Sequence, residues 1–122
     1  MLGALGQSFC SPTLSPPCPD HVKYQIVDAI RGHFAHRLRD GMPLAGRRVV
    51  ALNTLSGVRI ELEDGSWGLV RASSNKPELA VVCESPVSEA VMRRIFADID
   101  AHLAAYPEIG AYNQALPEPQ HT

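Results

Sequence analysis

The chain has 122 residues, of which 45% are hydrophobic and 20% charged, and its net charge is −2. This length and composition predict one globular domain, and the charge argues against a general nucleic-acid binder. There is no run of 18 apolar residues and no basic, apolar opening, so we expect neither a membrane span nor a signal peptide. Three cysteines do not make a disulfide framework and favour a reducing, cytoplasmic setting.

Residues 1–19 are interpreted as a connector from a preceding domain. Four prolines lie between Pro12 and Pro19, and each fixes φ and removes an amide donor, so a helix is excluded. We expect an extended segment, with an edge strand around Thr13–Leu14.

A helix is predicted over Asp20–Asp40. Asp20 follows a proline and precedes a periodic apolar run, which makes it a candidate N-cap. Gly41 and Pro43 supply the stop. The residues expected to form its buried stripe are Val22, Ile26, Val27, Ile30, Phe34 and Leu38.

The middle of the chain predicts four short strands rich in branched residues. They are Val49–Asn53, Val58–Leu62, Trp67–Ser73 and Glu78–Ser85. Asp64-Gly65 indicates a hairpin, and the short connections predict an antiparallel meander.

A second helix is predicted to begin after an N-cap at Ser88 and to end before Pro107. Residues 20–106 then form the domain, and residues 107–122 an extended, partly disordered tail. The order β-α-β-β-β-β-α predicts an α+β, two-layer sandwich, with both helices on one face of a four-stranded antiparallel sheet.

The segment Trp67–Leu79 carries the densest set of polar groups. Arg71 stands near a strand end, and Ser73, Ser74, Asn75 and Lys76 form the turn. A guanidinium fork matches phosphate oxygens, and turn N–H groups can face an anion together. By spacing alone, a phosphate site and a polar hairpin turn both fit these residues.

The stretch DGSWGLVRASSNKPEL resembles the phosphate-binding loop of the phosphohexomutase superfamily, of the phosphomannomutase/phosphoglucomutase type. Their C-terminal domain carries this loop commonly as R-x-S-N-T-x-P or R-x-S-G-T-E-P. Arg71 and Ser73 stand where the family's phosphate-binding arginine and serine stand. Ser74 takes the usual Asn or Gly position, Asn75 the usual Thr position, and Lys76 replaces a common Glu or neutral residue. The resemblance runs from about Ser11 to Asn113.

The resemblance implies a TBP-like fold and part of an isomerase of carbohydrate metabolism. This domain would bind the non-transferred phosphate of a hexose phosphate or bisphosphate, while a phosphoryl group moves between the 1- and 6-positions. The phosphoserine loop, the Mg²⁺ loop and the sugar-contacting loop of the family do not occur in this sequence. We therefore expect no catalytic residue, cofactor or metal ligand here, Mg²⁺ in the full-length enzyme, and an inactive isolated chain whose partners are the remaining domains.

Two other functions stay open at this point. One is a stand-alone, non-catalytic anion-binding or regulatory module. The other is nucleic-acid binding, which TBP-like sheets can serve but which the net charge disfavours.

A few further residues were weighed for chemistry. His33 and His36 are three apart on the first helix, where a solvated face is favoured over a metal site. Arg47-Arg48 is interpreted as a solvated basic pair at a strand edge. Trp67 is expected to pack in the core, and Cys83 to be a buried, inert thiol.

Overall fold

The structure, a computed structural model, describes residues 9–54 and 57–110. All of its strand pairs are antiparallel, in the order β1-β6-β5-β4-β3-β2. In chain order the elements are β1 (Phe9–Cys10), α1 (Asp20–Asp40), β2 (Pro43–Leu44), β3 (Arg47–Asn53), β4 (Val58–Leu62), β5 (Trp67–Ala72), β6 (Leu79–Ser85) and α2 (Glu89–Leu103). The α+β class is confirmed, but the sheet has six strands rather than four.

The two strands that the sequence did not predict are the edges of the sheet. β1 pairs Phe9 with Ser85, and β2 pairs Leu44 with Arg47. Each is two residues long, which is too short to show the alternation that marks a strand in sequence. The turn from β2 to β3 needs positive φ at Ala45 (53°) and Gly46 (77°), a hairpin geometry.

The proline-rich segment continues β1 along the free edge of β6. Leu14 exchanges both backbone hydrogen bonds with Val81, at 2.9 and 2.8 Å, and is fully buried. This bridge occurs where an edge strand was expected, and it makes the segment part of the core. The connector role and the domain boundaries stay predictions; residues 1–8 and most of the expected tail, 111–122, lie outside the described residues.

Helix α1 has the predicted bounds, and the centre of its predicted stripe is buried as expected, but the two ends of the stripe differ. Its buried residues are Lys23, Ile26, Val27, Ile30 and Phe34. Val22 is half-buried and Leu38 is exposed, because the stripe that meets the sheet advances by three and four residues rather than by four alone. The predicted N-cap was also wrong: Pro19 holds that position, and the Asp20 carboxylate pairs with Lys23 instead.

The end of α1 and the start of α2 are as predicted. Gly41 adopts the left-handed conformation and donates its N–H to the Arg37 carbonyl. The Ser88 hydroxyl accepts a hydrogen bond from the Val91 N–H at 3.1 Å, as expected of an N-cap.

One cluster of buried residues draws on both helices and on one face of the sheet. In β4, Val58, Ile60 and Leu62 are buried, while Arg59 and Glu61 point to the other face. Trp67 is opposite Glu61 in the neighbouring strand and therefore lies on that second face. It is half-buried, and the Arg59 Cζ atom lies 4.2 Å from the centroid of its ring. Core packing of Trp67 was thus a wrong expectation. Cys83 is fully buried, as expected, and burial raises the pKa of its thiol to about 12.

Candidate functional site

The polar loop lies between β5 and β6 and comprises residues 73–78. Its ends are joined by a hydrogen bond from the Ser73 N–H to the Glu78 carbonyl at 3.0 Å. Within it, the Asn75 N–H donates to the Ser73 hydroxyl at 3.3 Å, and the Glu78 N–H donates to the Lys76 carbonyl at 2.8 Å. The turn predicted from the sequence is therefore a short hairpin loop closed by its own backbone.

Two other parts of the chain hold the 73–78 loop from outside. The Lys23 ammonium on α1 donates to the Lys76 carbonyl at 3.0 Å and to the Asp20 carboxylate at 2.7 Å. Only 5% of the Lys23 side chain is exposed, so its ammonium is largely shielded from water, although the Asp20 carboxylate that it contacts is exposed. The Cys18 N–H donates to the Pro77 carbonyl at 2.8 Å.

Lys23 was missed by reasoning from the sequence. It lies three, four and seven residues before Ile26, Val27 and Ile30, which is a position in the buried stripe of the helix. A lysine is almost never fully buried unless its ammonium is paired. A charged residue at a stripe position was the signal that could have identified it.

A cavity of about 580 Å³ opens beside the 73–78 loop. It lies between the end of β5, the first half of α1, and the connection from β3 to β4. Of the five residues predicted to bind phosphate, Arg71 and Ser74 line this cavity, and Ser73, Asn75 and Lys76 do not. The loop residues adjacent in sequence are therefore only partly brought together around it.

Arg71 is the main cation facing the cavity. It is exposed, and among the described residues nothing forms a hydrogen bond or an ion pair with its guanidinium. Most of the other described arginines lie within 4.0 Å of a carboxylate, namely Arg31, Arg37, Arg39, Arg47, Arg59 and Arg93. The charge of Arg71 is thus left for an anion from outside the described chain.

Gly57 permits the close approach of the β3–β4 connection to Arg71. Its φ is +130°, and a Cβ there would lie 2.6 Å from the Arg71 Cβ and 2.6 Å from the Val70 carbonyl oxygen. Both the conformation and the space require glycine. The β3–β4 connection can therefore form this wall only because residue 57 has no Cβ.

The α1 wall of the cavity carries polar groups of both hydrogen-bonding types. Tyr24, Gln25, Asp28 and Arg31 line it, with Thr54 nearby on the β3–β4 connection. Arg31 Nη1 lies 2.6 Å from Asp28 Oδ1, so these two residues form an ion pair on the helix surface. None of them was singled out from the sequence, because only the tertiary fold places them opposite Arg71.

Comparison with known proteins decides the family. A model of the phosphoglucomutase/phosphomannomutase C-terminal domain matches residues 18–102. The chain belongs to this family. The resemblance noted in the sequence is thereby confirmed, and the chain corresponds to domain IV of the phosphohexomutase superfamily.

Individual members of the phosphohexomutase superfamily show how much of a relative's length the chain matches. A probable phosphoglucosamine mutase from Methanothermobacter thermautotrophicus is 33% identical over 73 residues, which cover 60% of this chain and 14% of the relative. A phosphopentomutase from Thermococcus kodakarensis is 33% identical over 72 residues, covering 59% and 14%. A phosphoglucomutase/phosphomannomutase family protein from Burkholderia thailandensis, known from its crystal structure, matches 96% of this chain and 21% of its own, with a TM-score of 0.59 and 25% identity. The chain therefore spans only a small part of its relatives.

The remaining candidate residues have other partners. His33 stacks on His102, with ring centroids 4.0 Å apart, whereas His36 Nε2 lies 2.8 Å from Asp40 Oδ2. The Arg47 guanidinium pairs with Asp64 at 2.7 Å.

Within residues 9–54 and 57–110, no three His, Cys, Asp or Glu side chains are grouped to hold a metal ion, so these residues do not fit Mg²⁺. In the same ranges no helix is long and apolar enough to cross a membrane.

Proposed function

We propose that this phosphohexomutase domain binds the non-transferred phosphate of a hexose phosphate or bisphosphate, with Arg71 as the principal contact. The observation that carries the proposal is the exposed Arg71 guanidinium, unpaired among the described residues, at a cavity beside a loop held by Lys23. A planar guanidinium offers two parallel N–H donors to a phosphate. Ser74 lines the same cavity and supplies a hydroxyl.

Three other loop residues are proposed to support the Arg71–phosphate contact without each touching the phosphate: Ser73, Asn75 and Lys76. The Ser73 hydroxyl accepts the Asn75 N–H and so shapes the turn. Lys76 is exposed and adds positive potential near the site. Both roles favour an anion without requiring each side chain to touch it.

In the whole enzyme, such a domain would hold one end of the substrate while the other end reacts. Binding energy at a remote phosphate positions the reacting hydroxyl, and a clamp that binds phosphate tolerates a bisphosphate in two orientations. Phosphoryl transfer between the 1- and 6-positions, and the Mg²⁺ that the resemblance implies, are assigned to other domains. The three free cysteines support the expectation of a cytoplasmic enzyme.

The test is an NMR titration of the labelled 122-residue chain with mannose 6-phosphate, glucose 1-phosphate and unphosphorylated mannose. Both phosphates are expected to shift the amides of residues 71–76, with dissociation constants on the order of millimolar. Mannose should leave them unchanged. Arg71→Ala should weaken binding at least about tenfold, since it removes a bidentate, charge-assisted contact.

Arg48→Ala is the matched control. Arg48 is also an exposed arginine on a strand, but it lies at the opposite end of β3 from Thr54 and does not line the cavity. Its removal should leave phosphate binding unchanged. If mannose shifts the same amides, or if Arg71→Ala binds like the wild type, the loop is not a phosphate clamp.

A further inference from the structure

The cavity beside Arg71 is larger than a phosphate requires. Its volume of about 580 Å³ lies within the range of roughly 300–1,000 Å³ that is typical of small-molecule sites. A phosphate group displaces only a few water molecules of about 30 Å³ each. Room is therefore left between Arg71 and α1 for the part of the ligand that carries the phosphate.

The two walls of this space differ in chemistry. On the β5 side the Arg71 guanidinium has no carboxylate partner within the described ranges, which leaves its positive charge uncompensated there. On the α1 side the charge of Arg31 is balanced by Asp28 at 2.6 Å. An anion is therefore favoured at the β5 wall and is not specifically favoured at the α1 wall.

The α1 wall suits hydroxyl groups instead. A sugar hydroxyl both donates and accepts a hydrogen bond, and the Asp28–Arg31 pair presents an acceptor next to donors. The Arg31 side chain is 43% exposed and the Asp28 side chain 65% exposed, so a ligand in the cavity can reach both. Gln25, which carries an amide, lines the same wall.

The rest of the wall provides apolar contact. Tyr24 is 60% exposed, so its ring is accessible, and Val27 and Ala72 also line the space. A sugar ring has C–H faces as well as hydroxyls, and aromatic side chains offer flat apolar surface with a polar tip. This combination is complementary to a pyranose or furanose ring.

We propose that α1 binds the sugar of the phosphorylated ligand, so that this domain recognises both phosphate and sugar hydroxyls. The Asp28–Arg31 pair and Gln25 contact the hydroxyls, and Tyr24 covers a C–H face of the ring. The inference rests on the proposed function, because Arg71 must place the phosphate before α1 can reach the sugar. It adds that the phosphate ester of a sugar binds more tightly than inorganic phosphate does.

The experiment compares inorganic phosphate with glucose 6-phosphate on the 122-residue chain. Wild type should bind glucose 6-phosphate about tenfold more tightly, and only that ligand should shift amides of residues 24–31. The double substitution Asp28→Ala/Arg31→Ala removes the pair without changing net charge. It should abolish the preference by weakening glucose 6-phosphate about tenfold, with inorganic phosphate changed less than about twofold.

A second ion pair provides the matched control. Glu89 and Arg93 form a similar carboxylate–guanidinium pair on α2, at 3.2 Å, away from the cavity. Glu89→Ala/Arg93→Ala should keep the wild-type preference. Retained phosphate shifts at residues 71–76 show that each variant is folded.

The outcomes separate this inference from the function on which it rests. If wild type binds inorganic phosphate and glucose 6-phosphate equally, α1 does not bind the sugar. The same follows if Asp28→Ala/Arg31→Ala weakens the binding of both ligands equally. Neither result contradicts phosphate binding by Arg71. If neither ligand binds, or if Arg71→Ala leaves the affinity for both ligands unchanged, Arg71 does not bind phosphate and the proposed function itself is refuted.

Discussion

At the scale of single residues, the site depends on what surrounds Arg71 as much as on Arg71 itself. The other arginine that lines the cavity, Arg31, is paired with Asp28 at 2.6 Å. Arg71 is left unpaired among the described residues and is brought beside the β3–β4 connection by Gly57. Its availability to an anion therefore follows from the placement of charges and from one missing Cβ.

Gly57→Ala should damage both stability and the site. The added Cβ would meet Arg71 and the Val70 carbonyl at 2.6 Å, at a φ of +130° that alanine rarely adopts. We expect the free energy of unfolding to fall by about 1–3 kcal/mol and phosphate binding to weaken, because Arg71 must move. Denaturant unfolding and phosphate titration measure the two effects.

Gly32→Ala is the control for that substitution. Gly32 lies within α1, and nothing is within 4 Å of the position that its Cβ would take. Alanine there should stabilise the protein by about 0.5–1 kcal/mol and leave binding unchanged. A Gly57→Ala protein as stable as wild type would contradict the contact geometry.

At the scale of elements, α1 has three roles. Its stripe from Ile26 to Phe34 fills the core, and its half-exposed side forms a wall of the cavity. Lys23, near its first turn, fixes the 73–78 loop through the Lys76 carbonyl. The helix therefore couples core packing to the shape of the loop.

Lys23→Met should loosen the loop while keeping the packing of the stem. Methionine is similarly long and apolar, but it cannot donate to the Lys76 carbonyl. We expect faster hydrogen exchange at the Glu78 amide and about fivefold weaker phosphate binding, the equivalent of one hydrogen bond of about 1 kcal/mol. Asp20→Asn is the control, since it leaves the Lys23–Lys76 bond in place and should have a smaller effect. Unchanged exchange and affinity in Lys23→Met would refute a positioning role.

The contact between α1 and α2 contains two stacked imidazoles, His33 and His102. Burial, followed by the nearby Arg37 cation, lowers the pKa of His33, although Asp98 opposes this. The pKa of His102 is lowered by burial and then by His33 and Arg37, again against Asp98. The unfolded chain, whose imidazoles are solvated, therefore binds protons at a higher pH than the native chain does.

Stability should consequently fall as the pH drops below the ordinary histidine value of 6.5. The stabilisation that comes from the two neutral histidines is fully present above pH 6.5. It is lost as the pH falls toward the lowered pKa values of His33 and His102 in the folded chain. Urea midpoints at pH 7.5 and 5.5 measure the loss. His102→Phe should reduce it, because phenylalanine keeps an aromatic ring but binds no proton. His21→Gln, at an exposed position outside the pair, should show the wild-type loss, and an equal loss in His102→Phe would refute the assignment.

At the scale of the whole molecule, the chain corresponds to only a small part of its relatives. It covers 14% of the length of two of its curated relatives, whose names include a phosphoglucosamine mutase and a phosphopentomutase. Among the described residues, its cavity is lined by one unpaired cation, Arg71. Binding without transfer is the expected behaviour of such a part.

The 122-residue chain should therefore show no mutase activity, even with Mg²⁺ and a sugar bisphosphate. The described residues hold no group that fits a metal, and no phosphoserine loop occurs in the sequence. A coupled assay for interconversion of glucose 1- and 6-phosphates checks this, with binding of the same sugar phosphates as proof of a folded chain. Measurable turnover would refute the assignment of the chemistry to other domains.

The sequence by itself determined the elements with a clear period and the loop with a local motif. Strand β4 and helix α1 appeared with their observed bounds, because alternation over five residues and an apolar stripe over 21 are strong local signals. The segment from Arg71 to Lys76 could be predicted as a phosphate-binding loop because its polar side chains lie close together in the sequence. The two-residue strands β1 and β2 could not be predicted, since so few residues carry no period.

Only the tertiary structure decided how the loop is held and what it faces. Lys23 and Lys76 are 53 residues apart, so the local spacing that places Lys23 in the stripe of α1 cannot show that its ammonium meets the Lys76 carbonyl. The packing of α1 beside the end of β5 places Asp28, Arg31 and Arg71 around one cavity. Local patterns report which face of an element is apolar, whereas contacts between distant residues depend on how the packed elements are turned against each other.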